Sequence, residues 1–284
     1  MLRVEDVHKR FGDTVAVDGL SMRVRGGECV GLLGPNGAGK TTTMSLSVGV
    51  LKPDSGRIVI GGEGAPSDTK SRRHVGLCPQ AIALYERLTA LENLVFFCGL
   101  YGVERPKERA LELLEMVGLG DRAGGRVGTF SGGMQRRLNL ASALVHDPPL
   151  VLLDEPTAGV DPHSRNAIFD LVRSLREAGK AIVYTTHYME EAQRLCDRIE
   201  IIDQGRVLAS GTVDELIKAH GGESVLTLER ASGVEKRSVD DPVRALADVP
   251  LAPDADDPVT GVRIDRPDLE AVFLNLTGRS LRDH

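Results

Sequence analysis

Three short stretches carry residues whose types and spacing suit work on phosphate. GPNGAGKT, residues 34–41, fits the spacing G-x-x-x-x-G-K-[ST] and lies between the apolar run CVGLL and a helical segment. Its glycines, Gly34, Gly37 and Gly39, permit backbone angles that aim successive N–H groups inward as a nest for anionic oxygens. In that nest Lys40 supplies a point charge between β- and γ-phosphates, and the Thr41 hydroxyl suits Mg²⁺. In the second stretch, LVLLDEP, Asp154 and Glu155 emerge after four apolar residues, as at the end of a buried strand. Asp154 is placed to hold Mg²⁺ directly or through water. Adjacent side chains of extended backbone point apart, so Glu155 can face an attacking water as base or orienter. The third stretch, FSGGMQRRLNLASAL, sets Ser131, Gly132 and Gly133 before a helix with Met134, Leu138, Ala141 and Leu144 on one face. Bare N–H groups at the positive end of that helix form a second anion site.

These stretches need a frame to position them. LRVEDVHKRF, DGLSMRVRGGE and CVGLLG read as strands within residues 1–33, followed by a Gly-rich loop and a helix over 34–51. PDSGRIVIGG is turn, strand, turn. From about 81 to 145 the pattern is helical, with LTALENLVFFCGLYG and then RPKERALELLEMVGL. In the latter, Pro106 opens a helix and Leu111, Leu114 and Val117 form a core-facing stripe. PPLVLLDEP and KAIVYTTH are short apolar strands joined by the helix SRNAIFDLVRSLREAG, a βαβ unit that argues for a parallel sheet. RIEIIDQGRVLASG reads as a hairpin turning at DQG, and the helix TVDELIKAHGG closes the main body. Beyond about 222 come the strand ESVLTLE, a Pro- and Asp-rich stretch over 240–258, and a final helix, RPDLEAVFLNLTGRSL. The expected fold is therefore α/β, with a main domain over 1–220, its helical part at about 81–145, and a small α+β appendage over 221–284.

Composition narrows the function. With 284 residues, 41% of them hydrophobic, the chain can bury a substantial core. Aromatics make up 4%, Trp is absent and the net charge is −6, which opposes a nucleic-acid partner. Most of that charge sits in 221–284, where thirteen acidic residues face eight basic ones. Cys29, Cys78, Cys98 and Cys196 form no C-x-x-C pair and read as reduced thiols of a cytosolic protein. The start, MLRVEDVHKRF, has no hydrophobic signal core, and the longest apolar run, LVFFCGLYGV over 94–103, falls short of the roughly 18 residues that cross a bilayer. A soluble chain is expected, reaching a membrane only through a partner. A guanine reader N-K-x-D is missing, since none of the five Asn residues precedes Lys, and a small-molecule kinase has no need of a second anion site. ATP hydrolysis is the better reading.

The ordered set of motifs resembles the ATP-binding cassette (ABC) ATPase family over about residues 2–218. GPNGAGKTT supplies Gly34, Pro35, Asn36, Gly37, Ala38, Gly39, Lys40, Thr41 and Thr42; Gln80 lies in LCPQ; the family signature L-S-G-G-Q stands as FSGGM; LVLLDEP follows; AGVD ends at Asp161; and His187 lies in TTH. The resemblance implies a P-loop core with an antiparallel β-subdomain and a helical subdomain. It also implies a head-to-tail homodimer in which Ser131, Gly132 and Gly133 bind ATP held by the partner's P-loop. Phe11 would stack on adenine, Gln80 would sense Mg²⁺ and the attacking water, His187 would hold the γ-phosphate with Glu155 and the water, and Asp161 would signal across the dimer. Phe130 and Met134 depart from the signature's Leu and Gln without changing Ser131, Gly132 or Gly133.

SGGM followed by Arg-Arg-Leu, the compact CPQAIALYERLTALENL and the tail LEAVFLNLTGRSL look like the branch that powers drug, antibiotic and lipid-type exporters of the ABC-2 class. That likeness implies an integral membrane permease as partner, with the ATPase peripheral on the cytoplasmic face. Part of ALYERLTALENLVFFCGLYG would receive the permease's coupling helix, the rest forming the helical subdomain's core. Two alternatives stand beside it: a soluble ABC ATPase of DNA repair or translation, which the single cassette without a heptad insert opposes, and an importer ATPase. The acidic tail reads less as a regulatory element than as an appendage that extends the dimer interface or stabilises the cassette.

Overall fold

Alternating apolar residues draw the N-terminal segment into two long strands, β1 (Leu2–Phe11) and β2 (Thr14–Val24), before the short apolar β3 (Cys29–Leu33). Helix α1 (Lys40–Ser47), β4 (Ser55–Ile60), the single turn α2 (Thr69–Arg72) and β5 (Val75–Cys78) come next. Three helices follow, α3 (Ala90–Tyr101), α4 (Pro106–Met116) and α5 (Gly132–Ala143). Then come β6 (Leu150–Asp154), α6 (Pro162–Glu177), β7 (Ala181–Thr186), α7 (Met189–Leu195), β8 (Arg198–Asp203) and β9 (Arg206–Gly211). The computed structural model describes residues 1–62, 64–249 and 257–279. The chain divides into two compact units, Met1–Ser210 and Gly211–His284.

In the first unit a six-stranded sheet has the order β5-β6-β7-β3-β8-β9, parallel from β5 through β8. The hairpin from β8 to β9 turns through Gln204 and Gly205, with φ 49° and 78°, the left-handed pair that suits the strand twist. A second, antiparallel sheet has the order β2-β1-β4. Strand alternation divides the apolar residues of the parallel sheet between two cores. Val151, Leu153, Ile182 and Tyr184 face the helices α3–α6, whereas Leu150, Leu152, Ala181 and Val183 face the β2-β1-β4 sheet with Val4, Leu20 and Ile58.

Thr89 and Glu92 form a reciprocal capping box that starts α3, and Pro106 occupies the first turn of α4. The stripe expected on α4 is corrected in one member. Ala110, Leu113, Leu114 and Val117 are buried at the i, i+3, i+4, i+7 positions, and Leu111 lies off that face at 40% exposure. β5, α2 and α7 are absent from the sequence reading because four to seven residues are too few to show a period.

The second unit comprises α8 (Val213–His220), β10 (Ser224–Arg230), β11 (Gly233–Val239), α9 (Pro242–Ala247), β12 (Val259–Asp265) and α10 (Leu269–Thr277). Its antiparallel sheet has the order β11-β10-β12. Leu226 and Leu228 of β10 pack with Val249, Ala245, Leu246 and Ile264. Helix α8, read from the sequence as the close of the main body, packs instead on α10 within this unit. Part of the stretch 240–258 forms α9, and residues 250–256 lie outside the described residues. The final helix ends at Thr277, capped by Gly278 at φ 72°, and the expected extension into 280–281 also lies outside them.

Candidate nucleotide-binding site

The loop from Gly34 to Gly39 leaves the C-terminal end of β3 and enters α1, so backbone N–H groups and the helix dipole converge on one point. Only glycine suits position 39: its φ is 101°, and a Cβ there would stand 2.4 Å from the Ala16 carbonyl. Above the loop opens a cavity of about 510 Å³ lined by Phe11, Thr14, Val15, Ala16, Asn36, Gly37, Gly39, Lys40, Thr41, Thr42, Gln80 and Glu155. Phe11, 48% exposed, closes β1, and Lys9 Nζ lies 5.6 Å from its ring centroid. Gly34, Pro35 and Ala38 shape the loop without lining the cavity; the Gly34 and Pro35 carbonyls accept from Lys40 Nζ at 2.7 and 3.0 Å.

Glu155 is the convergence point. Its Oε1 lies 3.1 Å from Lys40 Nζ and 3.3 Å from His187 Nδ1, and its Oε2 accepts from Gln80 Nε2 at 3.1 Å. The His187 contact is one of proximity: Nδ1 is buried and makes no hydrogen bond, so the imidazole stands ready beside the carboxylate rather than locked to it. Glu155 is not extended, as the sequence reading assumed. Its φ is 45°, a left-handed value that costs a non-glycine residue of order 1–3 kcal/mol. The two carboxylates still part ways, but through this turn rather than through strand alternation. Thr185 on β7 holds them: its hydroxyl donates to Asp154 Oδ1 at 2.7 Å and accepts the Glu155 N–H at 2.8 Å. Thr185 is the residue the motifs missed, and its signal was the run of three consecutive hydroxyl residues, Tyr184, Thr185 and Thr186, that ends an otherwise apolar strand.

Gln80 projects just beyond β5 and is held by the helix behind the signature. Arg136 of α5 donates to the Gln80 and Pro79 carbonyls at 2.7 and 3.2 Å, while fully buried Asn139 donates to the Pro79 carbonyl and accepts from the Ala83 N–H. Thr41 and Gln80 line the cavity and Asp154 is buried at its base strand. A hydroxyl, an amide carbonyl and a carboxylate are hard oxygen donors of the kind Mg²⁺ takes beside phosphates, so the residues present fit that ion.

Ser131, Gly132, Gly133 and Asp161 stand together outside this cavity. Ser131 and Gly132 are exposed at the start of α5, where the Ser131 hydroxyl accepts the Met134 N–H at 3.3 Å. Gly133 is buried, and a Cβ there would stand 2.2 Å from Ser164 Oγ and 2.9 Å from Asp161 Oδ2. Asp161 caps α6 by accepting the Ser164 N–H at 2.9 Å, and that bond holds its carboxyl below the usual range. The head of α5, expected from the sequence to meet an anion, is thus a surface feature, separated within one chain from the cavity.

The chain matches the family model described as ABC transporter over residues 17–158. It is 43% identical to the linearmycin resistance ATP-binding protein of Bacillus subtilis (strain 168), over the whole of both chains. It is also 43% identical to the Nod factor export ATP-binding protein I of Burkholderia pseudomallei (strain K96243), over 98% of this chain and 97% of that one. Among solved structures, an ATP-binding subunit of an ABC transporter aligns with a TM-score of 0.71 and 32% identity over 78% of this chain and 93% of its own. A dimeric ATP-binding cassette in a post-hydrolysis state with ADP and Pi aligns at 0.68 and 30%, over 75% of this chain and 98% of its own. The phosphate nest, the carboxylate at its centre and these likenesses agree: the chain belongs to the ABC transporter family, as one of its ATP-hydrolysing subunits.

Proposed function

We propose that the protein binds ATP with Mg²⁺ in the cavity over Gly34–Thr42, closes head-to-tail on a second copy, and drives export through an integral membrane permease of the ABC-2 type. The observation that carries this reading is the meeting of Lys40, Gln80 and His187 on the Glu155 carboxylate above the phosphate nest. On that geometry Glu155 takes the proton of an attacking water, His187 completes its surroundings, and Gln80 and Asp154, with Thr41, are the residues that would hold Mg²⁺. The ion, when bound, neutralises phosphate charge. Phe11 offers its ring to the base, and Asn36, Gly37, Ala38, Gly39 and Thr42 wrap the phosphates. The exposed Ser131 and Gly132 are then the contribution of one copy to the ATP of the other, with Gly133 and Asp161 bracing them.

No helix among the described residues is long and apolar enough to cross a membrane, so transport requires a separate spanning partner. Ile82, Tyr85, Phe96 and Leu100 are exposed beside the Gln80 segment, Leu100 at 67%, and support a permease contact there; Ala90, Leu94 and Cys98 serve the helical core. The named relatives act in linearmycin resistance and Nod factor export, which supports export of a drug, antibiotic or lipid-like compound. The protein's mass in solution tests the reading. Glu155→Gln removes the base and leaves the clamp, so light scattering with Mg-ATP is expected to show a doubling of mass that is absent without nucleotide. A monomer with ATP bound would overturn the homodimer.

A further inference from the structure

Beneath the loops that follow Glu155 and precede His187 lies a carboxyl group that the hydrolytic scheme does not use. Glu191, on α7, is 2% exposed, yet it sits among hydroxyls and not beside a full hydrogen-bonded ion pair. Its Oε1 accepts from Thr157 Oγ1 at 2.7 Å, and its Oε2 accepts from Tyr184 Oη at 3.0 Å and from Thr186 Oγ1 at 2.9 Å. The nearest cation, Arg165 on α6, holds Nε 3.7 Å from Oε1 without a hydrogen bond. Thr157, Tyr184 and Thr186 are themselves fully buried.

Each donor belongs to a backbone segment that matters. Thr157 lies between Glu155 and Asp161. Thr186 immediately precedes His187, and its hydroxyl also accepts the Tyr188 N–H at 2.9 Å, so the residues on both sides of the imidazole hang from one hydroxyl. Burial and the neighbouring carboxylate push the Tyr184 phenol well above its ordinary range, which keeps it a donor. A buried polar cluster with every hydroxyl committed resists rearrangement, because breaking any one bond strands a donor in a medium without water.

We infer that Glu191 is a positioning residue: it ties the turn that carries His187 to the segment running from Glu155 to Asp161, so that imidazole and carboxylate keep one spacing. The inference rests on the proposed roles of Glu155 and His187. It accounts for the freedom of His187 Nδ1, whose ring is held from its backbone and not from its own nitrogen.

The test is a mutant cycle on steady-state ATP hydrolysis. Glu191→Gln keeps the shape but replaces one acceptor oxygen by a donor that faces hydroxyl donors. It is expected to lower kcat roughly tenfold to a hundredfold, the range for groups that orient another reacting side chain, with KM for ATP within about twofold. In a His187→Ala background the same change is expected to cost less than about twofold, because the residue it acts through has gone. Equal losses in both backgrounds, or an unchanged kcat, would overturn the positioning role. Should Glu191→Gln not fold, Thr186→Val carries the identical comparison. If His187→Ala alone leaves hydrolysis intact, the fault lies in the reading of the site and not in the inference about Glu191.

Discussion

The ammonium of Lys40 is 5% exposed and paired within the chain: two loop carbonyls accept from it and Glu155 lies at 3.1 Å. Phosphate oxygens entering the nest compete for a charge that the loop has desolvated in advance, which is how a buried lysine becomes a strong anion contact. Lys40→Ala is therefore expected to weaken ATP binding about tenfold or more and to abolish hydrolysis, read by titration with a fluorescent ATP analogue and by phosphate release. Hydrolysis at the parent rate would remove Lys40 from the site. At this scale the sequence was informative wherever chemistry demands a residue type at a fixed spacing, as with Lys40, Thr41 and the Asp154–Glu155 pair. It was silent where the third dimension decides. Nothing in DEP announces the left-handed backbone of Glu155, and the hydroxyls of Thr185 and Thr186 acquire meaning only when β7 is laid beside β6.

Among elements, the joint between helical and sheet regions turns on His146, in the connection from α5 to β6. Its ring stacks on Tyr101 at the end of α3, centroids 3.7 Å apart, and its Nε2 meets the Val75 carbonyl at the start of β5 at 3.1 Å. Nδ1 is buried without a partner, and burial lowers the pKa from 6.5 to about 4. The unfolded chain accordingly takes up a proton at this ring before the folded one does. Stability at this site is intact above pH 6.5, declines as pH falls toward 4, and declines no further below that. The loss is bounded at about 3 kcal/mol and nearer 2, since water reaches part of the ring. Urea midpoints of the parent and of His146→Phe, measured from pH 7 to 4, are expected to converge as pH falls; parallel curves would show that the ring does not carry this dependence. The sequence showed the partners of this joint unevenly. The helix ending at Tyr101 has twelve residues of pattern and a capping box, whereas β5 has four residues and no period, and it exists because α5 and β6 bury it.

For the whole molecule, the question is why the phosphate loop and the head of α5 do not meet within one chain. Lys40 and Gln80 line a cavity in which Ser131 and Asp161 take no part, and Ser131 with Gly132 faces solvent at the head of α5. A helix N-terminus with free N–H groups is worth little alone in water, but it becomes a strong contact when a second surface brings phosphate to it and excludes solvent. Arg136 and Asn139 then join that helix to the Gln80 backbone, and Gln80 to Glu155, giving closure at one surface a mechanical route to the carboxylate at the other. Order and spacing of motifs made the two stretches legible in the sequence. Their separation was not, because it depends on how the helical region is carried on the sheet. The separation makes a sharp prediction. Ser131→Phe, placed in the Glu155→Gln background, should leave ATP binding to the single chain unchanged, since Ser131 is outside the cavity. It should also abolish the nucleotide-dependent doubling of mass, because on the proposed head-to-tail arrangement the aromatic ring fills the space into which the second copy's phosphates would come. A double variant that binds ATP and stays monomeric assigns Ser131 to the partner's nucleotide. One that loses ATP binding altogether would place both anion sites on the same ATP, and the head-to-tail arrangement would fall.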